Sequence, residues 1–347
     1  MTISDERAAA GDPTIPDDGS GPESVTSPPR RRPTFLLTLG AVAVVIAMTG
    51  VYGQPYLLTV ATQAAIFAIV ALGLNVLVGY TGQISFGHNA FYGIGAYVSA
   101  LSTTSWGLNP YLGILLGVVL AILVALAIGY PTLRLQGHFL AMATLGIGLG
   151  FYSFAVASPY THGFTGIGGI PPLTLGGLAI DVPYLKFWAV GLVLLVAIVA
   201  AYRLQFKRYG RALRGIASDE ATAQSIGIDV RRYKLSAFVV SAVFAAVAGS
   251  LFAHTTSYIS PESFSFATIL TFFMMLFIGG SGSVWGAVIG AVIVTSIPEA
   301  LPSSVQEWQP TIFAFLLMVI LIVRPSGLLA PRGTPSTGLA RNRGGAS

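Results

Sequence analysis

Long stretches without charged residues recur along this chain, and they restrict what it can fold into. A helix needs about 20 predominantly apolar residues to cross a bilayer. Charged residues make up only 9% of the chain, against about 25% in soluble globular proteins. The sequence therefore predicts an all-α polytopic membrane protein with about ten transmembrane helices, or eight to ten because two windows are short. The windows lie near 34–52, 56–78, 88–105, 111–130, 138–157, 184–202, 235–254, 266–280, 283–300 and 310–323.

The basic residues are distributed so unevenly that they predict an orientation. If the N-terminus is cytoplasmic and ten helices follow, all of the 18 Lys and Arg residues except Lys186 fall on the inner side. The outer loops hold acidic residues instead, namely Asp181, Glu262, Glu299 and Glu307. Because cytoplasmic loops carry an excess of Lys and Arg, the pattern predicts that both termini are in the cytosol.

The two ends of the chain differ in composition from the apolar part between them. Residues 1–33 are rich in Asp, Pro, Gly and Ser, which predicts a disordered cytosolic tail. Residues 331–347 have the same character. We therefore expect one transmembrane domain over residues 34–330, whose longest inner loop spans residues 203–234 and is called the coupling loop below.

Residues 79–97, called the pathway segment below, interrupt the apolar pattern with GYTGQISFGHNAFYGIGAY. Lipid cannot hydrogen-bond to freed backbone groups, so irregular backbone at membrane depth is tolerated only where protein or a water-filled cavity surrounds it. The segment therefore predicts part of a translocation pathway, with Gln83, Ser85, His88 and Asn89 as the candidate side chains. The alternative is structural, since a lone histidine in such a setting is more often a neutral hydrogen-bonding strut.

The chain lacks the residues that several other classes of membrane protein need. Apart from Lys186 and Glu299, which lie near the ends of two windows, no predicted span contains Asp, Glu, Lys or Arg, whereas proton pumps and voltage sensors need intramembrane carboxylates or arginines. No lysine belongs to a G-x-x-x-x-G-K-[ST] phosphate-binding loop. The sequence also predicts no enzyme, because it has no convergent acid, base and nucleophile. The chain has no cysteine, and no two of its four histidines have metal-ligand spacing with a carboxylate nearby, so the sequence predicts no metal site. Any energy for transport is expected to enter through a partner.

The middle of the coupling loop, GRALRGIASDEATAQSIGI, predicts a short capped helix. Ser218 is expected to be its N-cap. Asp219 and Glu220 follow in the first turn, where the helix dipole favours carboxylates. Gly227 is expected just past the C-terminal end, where glycine tolerates the left-handed conformation.

One side of this predicted helix carries small or apolar residues, Ala221, Ala223 and Ile226. A short helix with such a face suits docking into a groove of a partner protein. The alternative is a solvated connector whose arginines contact anionic lipid headgroups.

Two stripes of small residues predict close helix packing, and contact with the substrate is the alternative. Small residues let helix backbones approach each other in a membrane, where apolar packing against lipid gives no net driving force. One stripe has a spacing of four and consists of Gly282, Gly286 and Gly290; the other contains Ala242, Ala246, Gly249 and Ala253.

Several motifs together resemble the permease subunits of branched-chain amino acid ABC importers, and among these the LivM-type member of the LivH/LivM pair. The resemblance covers about residues 34–330. It is carried by GLNVLVGYTGQISFGHNAFYGIGAY at Gly73–Tyr97, GFTGIGGIP at Gly163–Pro171, the coupling-loop motif with YKLSAFVVSAVFAAVAGSL over Gly210–Leu251, and GGSGSVWGAVIGA near the end.

The loop helix is similar to the E-A-A…G motif by which ABC permeases contact their ATPase. Glu220, Ala221, Ala223 and Gly227 match this motif in a looser form, with Thr222 interrupting the alanine pair. The resemblance thus implies that these residues, with Asp219 next to them, couple the permease to an ATPase.

The resemblance implies a heteromeric importer in the plasma membrane. Its expected partners are a LivH-type second permease, two cytosolic ABC ATPases and an extracytoplasmic substrate-binding protein, without a cofactor and without nucleic acid. The outer loop Ser158–Pro183 offers Tyr160, His162, Phe164 and Asp181 to a binding protein; a glycine-rich lid packed on the helices is the alternative.

The resemblance favours branched-chain amino acids as the substrate. Urea, short amides and small aromatic acids stay open, because related permeases carry them. A stand-alone channel or secondary carrier is the alternative from another class, and the capped loop helix argues against it.

Overall fold

The computed structural model describes residues 32–133, 135, 137–175, 178–300, 311, 315, 318–319, 322 and 327–329. By its internal contacts the chain divides after Ala41, and the packing below concerns the part from Val42 onward. The expected tails, except residues 32 and 33, and most of the window at 310–323 lie outside the described residues.

The described residues form eleven α-helices and four two-residue strands. Proline at the first helical position, where its missing N–H is no loss, begins the second, fourth and sixth helices. The helices are α1 Arg32–Tyr52, α2 Pro55–Leu74, α3 His88–Thr104, α4 Pro110–Thr132, α5 His138–Ala157, α6 Pro183–Phe206, α7 Arg208–Ser218, α8 Glu220–Ser225, α9 Val230–Thr256, α10 Phe266–Gly279 and α11 Val284–Ala300; the strands are β1 Ile167–Gly168, β2 Thr174–Leu175, β3 Leu178–Ala179 and β4 Tyr258–Ile259.

Nine of the predicted windows coincide with helices α1–α6 and α9–α11 to within a few residues. Among the described residues, five helices are long and apolar enough to cross a membrane: Pro55–Gly79, Pro110–Thr132, His138–Ala157, Pro183–Phe206 and Val230–Thr256. Helices α10 and α11 are apolar but shorter. The protein is thus a helical membrane protein, and the number of full spans stays a prediction.

Helices α2 and α9 form the centre of the bundle, because 67% and 61% of their apolar windows are buried inside the chain. For α4 and α5 these shares are 28% and 22%. These outer helices therefore expose rows of Leu, Val and Phe to the surroundings of the chain, as is expected for a subunit that faces lipid or another membrane protein.

Helices α3 and α9 approach each other at two glycines. A Cβ atom on Gly249 would collide with the Tyr92 carbonyl, and one on Gly95 would collide with the backbone of Ala246. The Ser250 hydroxyl donates to the Gly95 carbonyl at 2.9 Å. The contact between these helices is therefore one of backbone against backbone, which only small residues allow.

Helices α10 and α11 are packed in the same way. A Cβ atom on Gly286 would lie 2.7 Å from the Gly279 carbonyl, and one on Gly290 would collide with the Met275 carbonyl. Gly282 does not belong to this helix face, so its placement in the packing stripe was wrong. It lies in the turn between α10 and α11 with φ +84°, a left-handed conformation that glycine adopts without strain.

The long loop between α5 and α6 is tied to the loop after α9. Strand β1 pairs with β4 in an antiparallel register, Ile167 opposite Ile259, while β2 pairs with β3. His254 near the end of α9 contacts the Pro171 carbonyl at 2.7 Å and the Ser99 hydroxyl at 2.8 Å. This loop is therefore anchored to α9, whose His254 also contacts α3.

Candidate functional site

The pathway segment begins where α2 stops being regular. Residues Asn75–Gly79 form a π-turn, a feature that is frequent at functional sites. The chain then leaves the helix at Gly82, whose φ is +69° and whose N–H donates to the Val78 carbonyl at 3.1 Å. It becomes helical again at His88. The expected irregular backbone between two apolar helices is thus present over residues 82–87.

Asn75 in the π-turn and Gln205 near the end of α6 both bond to the turn between α10 and α11. The Gly282 N–H donates to Asn75 Oδ1 at 2.7 Å, and Gln205 Nε2 donates to the Gly282 carbonyl at 3.0 Å. Both polar backbone groups of Gly282 are satisfied in this way. Sequence reasoning missed both residues. For Asn75, an amide side chain in the apolar window 56–78 is a signal that could have found it, whereas Gln205 lies among the basic residues after the window 184–202.

His88 connects α3 to the two central helices. The Ser241 hydroxyl donates to the Gly73 carbonyl at 2.6 Å, so the His88 Nε2–H is assigned as the donor to Ser241 Oγ. Sequence reasoning missed Ser241. These bonds fit the reading of His88 as a neutral strut between helices.

Asn89 ties α3 to its other neighbours. Its Nδ2 donates to the Phe264 carbonyl at 2.8 Å and to the Gly148 carbonyl at 3.3 Å. The structure buries all four candidate side chains: Gln83 is 7% exposed, Ser85 and His88 are 1% exposed, and Asn89 is 0% exposed. They belong to the interior of this chain rather than to its surface.

Buried polar atoms without a hydrogen-bond partner are concentrated in the pathway segment. Among the described residues, all of them except Thr295 Oγ1 lie between residues 83 and 97. Leaving such a group unsatisfied costs about 1–3 kcal/mol, so this part of the bundle has polar capacity that the fold itself does not use. These atoms include Gln83 Oε1, Ser85 Oγ, Asn89 Oδ1 and the hydroxyls of Tyr92 and Tyr97.

The coupling loop contains the expected short helix, α8, but its N-cap is Asp219 and not Ser218. Asp219 Oδ1 accepts from the N–H groups of Ala221 at 2.9 Å and Thr222 at 3.3 Å. Ser218 ends α7 instead, where its hydroxyl donates back to the Arg214 carbonyl at 3.0 Å. The carboxylate replaces the serine because it accepts from two backbone groups and from the Thr222 hydroxyl.

The bonds to Asp219 also shift its ionisation. The Thr222 hydroxyl, then the Thr222 N–H and the Ala221 N–H, hold the pKa of the Asp219 carboxyl below its ordinary value. The cap is therefore charged at neutral pH. A depressed pKa stabilises the folded loop at pH values above the ordinary pKa, and this contribution is lost as the pH falls through the lowered one.

The C-terminal end of α8 has the bonds of a Schellman motif. Gly227, with φ +85°, donates its N–H to the Gln224 carbonyl at 2.9 Å. The Ile228 N–H donates to the Ala223 carbonyl at 3.1 Å. Gly227 thus occupies the expected position just past the helix end, where left-handed backbone favours glycine.

The free face of α8 differs from the one that the sequence predicts. Ala223 is 3% exposed and packs with Ile216 and Val230 inside the coupling loop, so it is not available to a partner. Ala221 is exposed, and Ile226 is 72% exposed. The prediction placed Ala223 on the outer face because helical spacing alone does not say which side of α8 meets α7 and α9.

Glu220 forms an ion pair with Lys234 at the start of α9. The Lys234 side chain is 9% exposed and that of Glu220 is 41% exposed. Sequence reasoning missed this role of Lys234. The pair holds α8 against α9, so the position of the short helix is fixed from within the chain.

The outer-loop residues that the sequence offers to a binding protein lie on the surface. Tyr160 and Phe164 are 78% and 70% exposed, and His162 is exposed as well. Asp181 pairs with Lys186 at 2.9 Å. Among the described residues, no group of three His, Cys, Asp or Glu side chains could hold a metal ion.

Comparison with known proteins gives the family. Residues 56–323 match the family described as branched-chain amino acid transport system / permease component. The chain is 33% identical over 295 residues to the high-affinity branched-chain amino acid transport system permease protein LivM of Escherichia coli K12, covering 78% of this chain and 69% of the relative. It is 30% identical over 291 residues to LivH of the same organism, covering 77% and 92%. No solved structure matches the chain. The chain belongs to the permease-component family of branched-chain amino acid transport systems.

Proposed function

We propose that this chain is the permease subunit of an ABC importer that carries branched-chain amino acids into the cell. The observation that carries the proposal is the coupling loop, which presents a capped helix with an exposed Ile226 between the long helices α6 and α9. An exposed apolar side chain on a short rigid helix is suited to a groove of a partner. ATP hydrolysis would take place in two cytosolic ATPases, because the chain has no phosphate-binding loop.

The names of the relatives support the other partners. LivM and LivH are two related permeases of the same organism, and this chain is similar to both. We infer that it pairs with a LivH-type second permease. The exposed outer-loop residues Tyr160 and Phe164 are the proposed contact with an extracytoplasmic binding protein.

The proposal is tested by reconstitution. Purified chain, second permease, ATPases and binding protein are placed in liposomes, and uptake of radiolabelled leucine is measured with and without ATP. We expect uptake that requires ATP and every subunit. If urea, a short amide or an aromatic acid is taken up in preference to leucine, the assignment of the substrate is wrong. If this chain alone carries the solute without ATP, it is a channel or a secondary carrier.

The proposed topology has both termini and the coupling loop in the cytosol of a plasma-membrane protein, with ten helices. The charge distribution supports it, since only Lys186 of the 18 basic residues falls outside. The chain has no cysteine, so a single introduced cysteine can show on which side of the membrane its position lies. In intact cells, we expect an impermeant thiol reagent to label Glu262→Cys and not Ser218→Cys. Equal labelling of both positions would contradict this topology.

We further propose that the pathway segment lines or adjoins the route of the substrate. Gln83→Leu removes an amide oxygen that has no partner, so we expect normal thermal stability but an uptake reduced by roughly tenfold, about the value of one charge-assisted hydrogen bond. The control is Gln205→Leu, which breaks the bond to Gly282 and should lower the melting temperature. Uptake by Gln83→Leu equal to that of the wild type would make this glutamine purely structural.

A further inference from the structure

A small cavity lies where the loop after α2, the start of α5 and the coupling loop meet. Its volume is about 170 Å³. An apolar cavity of about 150 Å³ takes up a benzene molecule, so this one has room for a small metabolite and not for a nucleotide or a peptide. Its lining includes Gln83, Ile84, Leu140, Ala141, Glu220 and Lys234.

The buried lysine of this cavity has unused hydrogen-bonding capacity. Lys234 is 7% exposed, and its ammonium has three N–H donors, one of which Glu220 accepts. Gln83 also lines the cavity, but its side-chain oxygen is enclosed by protein and does not face it. Because buried polar groups ordinarily have partners, the unused donors of a buried ammonium that lines a cavity indicate a bound polar molecule.

The charges of the cavity select among possible ligands. Among its described lining residues, the formal charges of Lys234 and Glu220 cancel. A simple anion or a simple cation would bring one unbalanced charge next to this pair, whose lysine is buried and whose glutamate is half-exposed. A zwitterion keeps every charge paired, because its carboxylate can face Lys234 while its ammonium faces Glu220.

Two further features fit an α-amino acid with an aliphatic side chain. Helix α5 begins at His138 beside the cavity, and Gly137 before it supplies no side-chain cap. The first N–H groups of α5 therefore favour a carboxylate. Thr81 and His138 also line the cavity, but most of the other side chains of the wall are apolar, namely Ile84, Leu135, Leu140 and Ala141, and these are suited to a short hydrocarbon side chain.

We propose that this cavity binds one free aliphatic α-amino acid on the coupling-loop side of the permease. The inference rests on the proposed function, which supplies the solute. It assigns a second role to the Glu220–Lys234 pair, which would hold the amino acid between α8 and the pathway segment. A bound amino acid would thus contact both the loop that couples to the ATPase and the loop that follows α2.

The test is binding of tritiated L-leucine to the complete permease–ATPase complex in nanodiscs, without the binding protein. We expect saturable binding. The anion 4-methylpentanoate and the cation 3-methylbutylamine should each compete at least about tenfold more weakly, since each lacks one charge of the zwitterion. If either analogue competes as well as leucine, the zwitterion site is wrong.

Variants of α5 and of the coupling loop locate the binding. Ala141→Met fills the cavity without changing charge and should weaken leucine binding by roughly tenfold or more, whereas Ala143→Met, on the same helix but outside the lining, should not. Glu220→Gln should weaken binding similarly, whereas Asp229→Asn, which alters the exposed pair with Arg232, should leave it unchanged.

Two failures are distinguishable. A complex that takes up leucine with ATP but shows no saturable leucine binding, or binds it equally in Ala141→Met and Ala143→Met, overturns the cavity site and leaves the proposed function intact. If the complete importer takes up no leucine, the proposed function is wrong. An aliphatic amino acid is then no longer the ligand expected for this site.

Discussion

Ile226→Arg is expected to abolish ATP-driven uptake while the permease stays folded in the membrane. Ile226 is 72% exposed at the end of α8, so the folded chain accommodates the longer side chain. In the proposed complex the same position enters an ATPase groove, where an unpaired charge typically costs several kcal/mol. A loss of 3 kcal/mol corresponds to a roughly hundredfold weaker interface. Uptake into proteoliposomes and co-purification of the ATPase measure the effect.

Two controls separate docking from folding in this experiment. Ile226→Leu keeps an apolar side chain and should retain uptake. Trp106→Arg adds the same charge at an exposed apolar residue of the loop between α3 and α4 and should also retain it. Ala223→Arg is unsuitable, because it would place a charge in the interior of the coupling loop. Full uptake by Ile226→Arg would exclude this face as the ATPase contact.

Gly249→Ala is expected to destabilise the protein, against the usual preference of helices for alanine. In a helix interior, Gly is worse than Ala by about 0.5–1 kcal/mol. At position 249, however, the added Cβ would collide with the Tyr92 carbonyl. Because this neighbour is backbone, it cannot rotate away, and overpacking of this kind costs about 1–3 kcal/mol. The melting temperature of the purified chain should therefore fall.

Gly146→Ala is the matched control. Gly146 also lies within a long helix, α5, and a Cβ atom there would have nothing within 4 Å. The same substitution should therefore leave the melting temperature unchanged or raise it. Opposite signs for the two variants would locate the close approach of α3 and α9. A Gly249→Ala protein as stable as the wild type would contradict that packing.

The sequence alone determined where the helices lie. Runs of apolar residues bounded by Pro, Gly and polar residues are local signals, so the predicted windows agree with α1–α6 and α9–α11 to within a few residues. The interruption after α2 was also predictable, because glycine and polar residues in an apolar span have a local cost. The position of Gly227 past the end of α8 followed from the same kind of local chemistry.

Only the tertiary structure decided which side of each element meets a neighbour. Helical spacing put Ala221 and Ala223 on one face, but contacts with α7 and α9 bury Ala223 and leave Ile226 free. The pairing of Glu220 with Lys234 joins residues that are far apart along the coupling loop. Such partners depend on how the helices pack, and no local pattern encodes them.

The pathway segment shows the same division. Its polar residues and glycines could be recognised in the sequence, but the bonds of His88 to Ser241 and of Asn75 to Gly282 join positions that lie about 150 to 200 residues apart. The sequence alone shows that a polar group in an apolar bundle needs a hydrogen-bond partner. Which partner it finds is settled by helix packing, because the donor and acceptor meet only when the close glycine contacts bring their helices together.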